Sequence, residues 1–401
     1  MTKRNSIARM TEEMTAWRRE LHQNPGLAYE ETYAASFVEK KLTEWGVSFK
    51  KGVATTGIVA TIEGRENTSA KAIGLRGDMD ALPINEKSGQ PWASQKSGTM
   101  HACGHDGHTT ILLAAAKYLS ETRNFNGKVH LVFQPAEEGA HGADTMISEG
   151  LFRDFPCDAM YGLHNWPFLP VGKAELRAGP LLAAVDEFDI TITGEGGHGA
   201  YPQSTKDPIP AGAALVSALQ TIVSRNIAAV EPVVVSVTNF NAGTGATNVI
   251  PDTATLSGTV RTFSVKAQDF VEQRIRDICD NLGAAYGVKA EMTRYFRNTK
   301  ATINTPKESD FAAQTLVNLL GADNVNADCD LCLGGEDFGA FLYEVPGAYI
   351  FLGQGTPDKK SPHNQTLHSP FYDFNDEILP IAVDYFAELV ETAMPVVKNA
   401  A

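Results

Sequence analysis

Apolar positions along the first third of the chain recur with two different periods. Met10 to His22 carries them at helical spacing and stops at Asn24-Pro25-Gly26. Gly57 to Ile62 and Ala72 to Leu75 are short β-rich runs. Thr109 to Ser120 reads as an Ala/Leu-rich helix, followed by strands at Val129 to Phe133 and Ala159 to Leu163. Strands alternating with helices predict an α/β fold built on a largely parallel sheet covered on both faces.

The rhythm then changes. Phe188 to Thr193 alternates like a strand, and Pro210 to Ser224 is an amphipathic helix. Strands at Val233 to Thr238 and Thr255 to Thr262 follow, then a helix over Ala267 to Leu282 and a strand at Lys289 to Tyr295. This β-α-β-β-α-β order predicts a ferredoxin-like α+β domain over residues 186–297. A helix at Asp310 to Leu320, the apolar run Ala348 to Leu352 and a closing helix over Asp376 to Met394 resume the α/β pattern. The prediction is therefore a discontinuous larger domain, 1–185 plus 298–401, with the smaller one inserted into it.

Composition narrows the function classes. Of 401 residues 43% are hydrophobic and 20% charged, as in a soluble globular protein. A net charge of -14 argues against nucleic acid as a partner, since that needs a basic stripe. The charge-studded stretch from Met1 to Glu20 has no signal-like apolar region. No apolar run approaches the ~20 residues that span a bilayer. Five cysteines at scattered positions do not suggest a disulfide framework, so a cytoplasmic location is expected. Cys157, Cys279, Cys329 and Cys332 read as small buried hydrophobes. Cys329-x-x-Cys332 has the spacing of a redox pair, although no second such motif accompanies it.

The densest chemistry lies in His101-Ala102-Cys103-Gly104-His105-Asp106-Gly107-His108, where three of ten histidines surround a cysteine. Burying these groups without a ligand would strand polar atoms. Thiolate and imidazole together suit zinc and its neighbours. A Cys and a His two apart share one side of an extended segment. Three predicted strands also end in polar groups: Asp78 and Asp80, then Glu137 and Glu138, then His164. Open α/β sheets bind ligands at the carboxyl ends of their strands, so these groups are expected to converge. Candidate metal ligands are Cys103, His105, Glu138, His164 and, from the far end, His368. Five exceed what one open tetrahedral site accepts. Two divalent ions about 3.5–4 Å apart fit better. Glu137 and Glu138 point opposite ways if extended, so one can bind metal while Glu137 serves as general base. Asp78, Asp80 and Asp106 are candidates to orient a ligand histidine, with Asp80 alternatively capping the turn before Pro83.

These residues carry a resemblance. Gly77-Asp78-Met79-Asp80-Ala81-Leu82-Pro83, the His101 to His108 cluster, Gln134-Pro135-Ala136-Glu137-Glu138-Gly139 and Gly162-Leu163-His164 resemble the aminoacylase and hippurate-hydrolase family of di-metal peptidases. So do Gly196-Gly197-His198-Gly199-Ala200, Asn248-Val249-Ile250-Pro251, Gly334-Gly335-Glu336-Asp337-Phe338 and His368-Ser369-Pro370. The likeness is strongest to the amidohydrolase branch that includes auxin-conjugate hydrolases. It implies that Cys103, His105, Glu138, His164 and His368 hold two divalent ions and that Glu137 is the base. It also implies that the inserted domain is a lid through which a homodimer or dimer-based tetramer forms. His198 matches a residue that stabilises the tetrahedral intermediate; Asn248 and Arg261 match positions that touch substrate. The Gly334-Gly335 turn could present backbone N–H groups to an anion.

Relatives with aminopeptidase or deacylase activity often carry His where Asp78 stands; here the ligands are redistributed into Cys103 and His105. Zinc, manganese, cobalt and nickel all suit that set. The expected activity is hydrolysis of small N-acyl amino acids to a carboxylate and a free amino acid. Alternatives are a dipeptidase or carboxypeptidase using the same centre, or a non-catalytic, metal-stabilised amino-acid-binding protein. Trp166, Phe168 and Tyr201 are candidates to line an acyl pocket or simply to pack.

Overall fold

The computed structural model describes residues 3–396. Met1 and Thr2, at the front of the charged N-terminal stretch, lie outside the described residues, as do 397–401. Two compact units form: Met1–Leu181 with Ile303–Asp330 and Asp337–Ala401, and Leu182–Thr302 with Leu331–Glu336.

In the larger unit the main elements are helices α1 (Thr11–Gln23) and α2 (Thr32–Glu44), strands β1 (Ser48–Val53), β2 (Gly57–Glu63) and β3 (Ala72–Asp78), helix α3 (His105–Thr122), and strands β4 (Lys128–Gln134) and β5 (Ala159–Pro170). In the smaller unit they are β6 (Ala184–Thr193), α4 (Pro208–Thr221), β7 (Val234–Ala242), β8 (Thr253–Thr262), α5 (Val265–Tyr286) and β9 (Lys289–Thr299). The chain then returns to the larger unit through α6 (Pro306–Leu320), β10 (Gly347–Gly355) and α7 (Leu379–Ala393).

The larger sheet runs β1-β2-β4-β3-β5-β10, extended at one edge by the two-residue strands Ala174–Glu175 and Val325–Asn326. Strands β4, β3, β5 and β10 are mutually parallel, and β1 and β2 join antiparallel. Every residue of β3 is buried, and so is every residue of β10, as expected of parallel strands covered on both faces. Helix α3 is buried nearly all round, which is why its apolar residues show no clean stripe. The connection from β3 returns to β4 on one side, and the next strand, β5, lies on the other. This reversal makes the carboxyl end of β3 a topological switch point, where open sheets form their binding crevice.

The smaller unit is an antiparallel sheet ordered β7-β8-β6-β9 with α4 and α5 packed on one apolar core. Phe188, Ile190 and Ile192 alternate into that core from β6, against Leu215 and Leu219 of α4 and Val271 and Ile275 of α5. Side-chain caps start both helices: Asp207 accepts from the N–H of Ile209, and Ser264 from that of Ala267. Each such cap contributes about 1 kcal/mol. Helix α4 begins at Pro208, two residues before the predicted start, because proline fits the first helical turn. No described helix is long and apolar enough to cross a membrane.

Candidate metal centre

Three parallel strands and one helix start build the centre. Strand β3 ends at Asp78 and leads to Asp80, while β4 ends at Gln134 and turns into Glu137 and Glu138. His164 is not at a strand end as predicted but midway along β5, which continues to Pro170. The β3–β5 ladder stops at Leu75 and Tyr161, three residues before His164, so that histidine stands where the two strands part.

Nor is the cysteine–histidine segment extended. Gly104 adopts a left-handed conformation (φ 95°) and His105 opens helix α3. A Cβ on Gly104 would meet the Asn165 side chain at 2.4 Å, so glycine is required on two counts. The Glu137–Glu138 pair lies in a turn as well. Ala136 has φ 58°, and the Gly139 N–H donates to the Glu137 carbonyl at 2.6 Å. The turn, not strand alternation, separates the two carboxylates. Ala136 and His368 (φ 65°) are both left-handed non-glycine residues. Such backbone strain costs on the order of 1–2 kcal/mol and clusters at functional sites.

Cys103, His105, Glu137, Glu138, His164 and His368 meet. The donor atoms of Cys103, His105 and His164 lie within 4.8 Å of one another, as do those of Cys103, Glu138 and His368, and those of His105, Glu137 and Glu138. His164 Nε2 is 3.3 Å from Cys103 Sγ, while its Nδ1 donates to the Asn165 carbonyl at 2.8 Å. The Nε2 lone pair therefore faces the cluster. His105 Nδ1 is taken by Asp80 Oδ1 at 3.1 Å. Asp80 Oδ2 accepts the Glu138 backbone N–H at 2.8 Å, so one carboxylate sets both residues. His368 comes in from the far end of the chain, its N–H donating to the Ala102 carbonyl at 2.8 Å and its Nε2 3.3 Å from Glu138 Oε1.

Two buried atoms test whether a cation fits. His105 Nε2 is buried with no hydrogen-bond partner and faces, across 4.0 Å, Glu138 Oε1, which His368 Nε2 approaches to 3.3 Å. Stranding that nitrogen would cost about 1–3 kcal/mol; a divalent ion satisfies it together with the Glu138 carboxylate. Electrostatics agree. Burial opposes charge on His105, but Asp78, Asp80 and Glu138 outweigh it and raise the pKa to about 10. Burial and the neighbouring Glu138, Glu137 and Asp78 push the Cys103 thiol well up. Burial, with His108 beside it, keeps His164 neutral. The pocket thus favours added positive charge, and the donor set suits a divalent metal.

His108 also lies among these groups, yet both its ring nitrogens are occupied, by Asp78 Oδ1 at 2.6 Å and Asn165 Oδ1 at 2.8 Å. Asp78 is shared further: Oδ2 accepts from Arg76 Nη1 at 2.6 Å and lies 3.7 Å from His105 Nε2. Burial disfavours its charge, but Arg76, His105 and His108 hold its carboxyl well below the usual range. Asp106 faces another group. Its Oδ2 lies 2.8 Å from His22 Nδ1 and 3.8 Å from Arg18. His101 is buried with its ring 6.2 Å from that of His22, and burial pulls its pKa down to about 4.

Residues without an assigned role in the sequence reading support the cluster from behind. Arg76 donates to Gln134 Oε1 (2.8 Å) and Asp337 Oδ1 (3.2 Å) as well as Asp78. Asp337 also accepts from Gln134 Nε2 and the Ala143 N–H, and its own N–H donates to Glu137 Oε1 at 3.3 Å. Buried Glu31 accepts the Ala136 N–H at 2.9 Å, beneath the turn that carries Glu137. One signal was available: an arginine inside an otherwise apolar buried strand needs acidic partners.

The remaining candidates sit in the smaller unit. His198 lies on the short strand Gly197–His198, opposite Val249, and the Gly199 N–H donates to the Asn248 carbonyl. The exposed His198 ring is 5.5 Å from that of Tyr201. Arg261 donates from Nε to the Leu333 carbonyl at 3.2 Å, and desolvation lowers its pKa. At Gly335 a Cβ would meet Val185 at 2.6 Å.

Such a sheet with a di-metal-type donor cluster at its switch point defines a metallohydrolase of the α/β class. The chain belongs to Peptidase family M20/M25/M40, whose model matches residues 74–392. It is 41% identical to the hippurate hydrolase of Campylobacter jejuni, over 93% of this chain and 94% of that one. With the N-acetylcysteine deacetylase of Bacillus subtilis it shares 37% identity, over 95% and 97%. A solved dinuclear metal-binding peptidase of the M20 family from Bacillus subtilis superposes with a TM-score of 0.82 at 33% identity, covering 96% of this chain and 99% of that one.

Proposed function

We propose that this chain is a metal-dependent amidohydrolase that cleaves N-acyl amino acids to a carboxylate and a free amino acid. The observation that carries the reading is the buried, unpartnered His105 Nε2 facing Glu138 Oε1 inside the Cys103, His164 and His368 cluster. The named relatives, a hippurate hydrolase and an N-acetylcysteine deacetylase, act on substrates of this kind.

In this reading Cys103, His105, Glu138, His164 and His368 hold two divalent cations, zinc, manganese, cobalt or nickel. Bound there, the ions supply Lewis-acid polarisation of the amide carbonyl and lower the pKa of the attacking water. Glu137, held at Oε1 by the Asp337 N–H, takes the proton from water as the new C–O bond forms at the carbonyl carbon, and then passes it to the leaving nitrogen as the C–N bond breaks. Asp80 keeps the His105 lone pair aimed inward. His198 supports the oxyanion. Asn248, Arg261 and the Gly335 turn contact substrate, with the half-buried Arg261 fork suited to a carboxylate.

The reading extends to a homodimer or dimer-based tetramer formed through the smaller unit, whose edge strand β7 is exposed over its last five residues. It also includes a cytoplasmic location, in keeping with five free cysteines. The test is elemental analysis of the purified protein beside a panel of N-benzoyl and N-acetyl amino acids and dipeptides, with chelation and metal add-back. Near-stoichiometric divalent metal and chelator-sensitive release of free amino acid are expected. A metal-free protein that hydrolyses none of the panel after add-back would defeat the proposal, and a preference for dipeptides would make it a dipeptidase.

A further inference from the structure

Glu31 stands at the start of helix α2, where a carboxylate can accept from the free N–H groups of the first turn. It does not: no side-chain bond caps this helix. The carboxylate is fully buried and serves three other segments instead. Oε1 accepts the Tyr29 N–H at 2.9 Å and, 105 residues further along the chain, the Ala136 N–H at 2.9 Å. Oε2 accepts from the Thr56 hydroxyl. Burial raises the Glu31 pKa, against the pull of that hydroxyl and the backbone N–H groups. Starting a helix gives no reason to bury an acid here.

The segments that meet at Glu31 share an uncommon backbone. Among the described residues eight other than glycine have positive φ, and five of them lie here: Tyr29 (63°), Ala54 (51°), Thr55 (72°), Ala136 (58°) and His141 (60°). Residues with a Cβ keep such torsions only where their surroundings over-determine them. Ala136 is held on both sides, its N–H by Glu31 and its carbonyl by the Gly142 N–H at 3.0 Å. A Cβ on Gly142 would come within 1.7 Å of the Pro135 carbonyl oxygen, so the chain has no slack there. The Tyr29 hydroxyl donates to the Ala140 carbonyl at 2.8 Å and closes the far side of the turn.

Glu137 follows Ala136 directly, so the Ala136 torsions set where its carboxylate points. Glu138 is secured separately, its N–H on Asp80 Oδ2. We propose that Glu31 is a positioning residue for proton transfer: by holding Ala136 in its left-handed turn it aims Glu137 at the cluster, while the metal ligands keep their places without it. The inference rests on the amidohydrolase reading, in which Glu137 is the base.

The experiment measures kcat, KM and bound metal for full-length wild type, Glu31→Ala, Glu31→Gln and Thr56→Val, with N-benzoylglycine and N-acetylglycine as substrates. With rates taken per metal-loaded enzyme, Glu31→Ala is expected to lose about 10²-fold in kcat, the effect of displacing a reacting group by about 1 Å. KM and metal content should stay near wild type. Glu31→Gln presents Oε1 to both N–H groups and its amide to Thr56, and should recover most of the rate. Thr56→Val removes one bond, keeps the shape and should lower kcat by a smaller factor. A lower urea midpoint at unchanged kcat in Glu31→Ala, or loss of its metal, would overturn the proposal. So would a Glu31→Gln enzyme as slow as Glu31→Ala. If Glu31→Ala does not fold, Thr56→Val decides, and a wild-type kcat there overturns the proposal. No turnover of either substrate by metal-loaded wild type would instead remove the amidohydrolase reading itself.

Discussion

Asp80 holds His105 by Nδ1 at 3.1 Å, and with its other carboxylate oxygen it takes the Glu138 backbone N–H at 2.8 Å. A single side chain therefore fixes a helix-borne imidazole and a turn-borne carboxylate relative to each other. Removing such an orienting group typically weakens metal binding about 10–100-fold. Asp80→Ala is expected to do so, measured by competition with a chromophoric chelator. Affinity equal to wild type would show that the two groups hold position without it.

Glu137 is placed differently from its neighbour, with Oε1 on the Asp337 N–H. Glu137→Gln keeps the shape and removes the base. Turnover of N-benzoylglycine should fall by about 10²–10⁴, the usual contribution of a positioned proton acceptor, with metal content unchanged by elemental analysis. A variant that retains more than half the wild-type rate would remove Glu137 from the proton path.

Arg18 is fully buried and binds Asp376 through Nε at 2.6 Å, with Nη1 3.5 Å from Asp373 and 3.8 Å from Asp106. Removing one partner of a buried ionic cluster costs about 3–5 kcal/mol, because the remaining charges stay desolvated. Arg18→Met should lower unfolding stability in urea by that order. Arg18→Lys should recover only part of it, since an ammonium cannot reproduce the forked geometry.

His22 gives a pH signature. Burial opposes its charge, but Asp106 at 2.8 Å and Glu86 at 3.3 Å outweigh it and raise its pKa to about 9. Its ordinary value is about 6.5. The folded form therefore binds the proton more tightly than the unfolded one. The stability this contributes is fully present below about pH 6.5 and is lost as pH rises toward 9, with a slope of up to about 1.4 kcal/mol per pH unit. His22→Gln should flatten that part of the stability profile in chemical denaturation at pH 6, 7.5 and 9. An identical profile in variant and wild type would assign the slope to other groups.

Much of the larger sheet was legible because parallel strands buried on both faces leave unbroken apolar runs, as at Ala72 to Leu75 and Ala348 to Leu352. Strand β1 was not, since only Val53 of its six residues is buried and nothing in Ser48–Val53 alternates. Helix α2 also went unread: Thr32–Glu44 has no side-chain cap at its start. Gly46 does stop it in a left-handed turn, with the Gly46 and Val47 N–H groups donating to the Thr43 and Leu42 carbonyls. At the centre, residue types and spacing identified the groups that meet, whereas the reasons they meet were hidden. The αL turn at Gly104 and the bend at Ala136 replace the extended geometry assumed for both motifs. Arg76, Gln134 and Asp337 support one another across separations of 58 to 261 residues, which no local pattern records. Asp106 sits next to His105 in sequence, yet it serves the Arg18–His22 group, because consecutive helical residues point about 100° apart.

His368 is tied by its backbone to Ala102, 266 residues earlier. A growing polypeptide cannot complete this cluster until nearly all of it has been synthesised, at about 5–20 residues per second. The cluster is therefore closed late in folding, when the segment that carries His368 docks against Ala102.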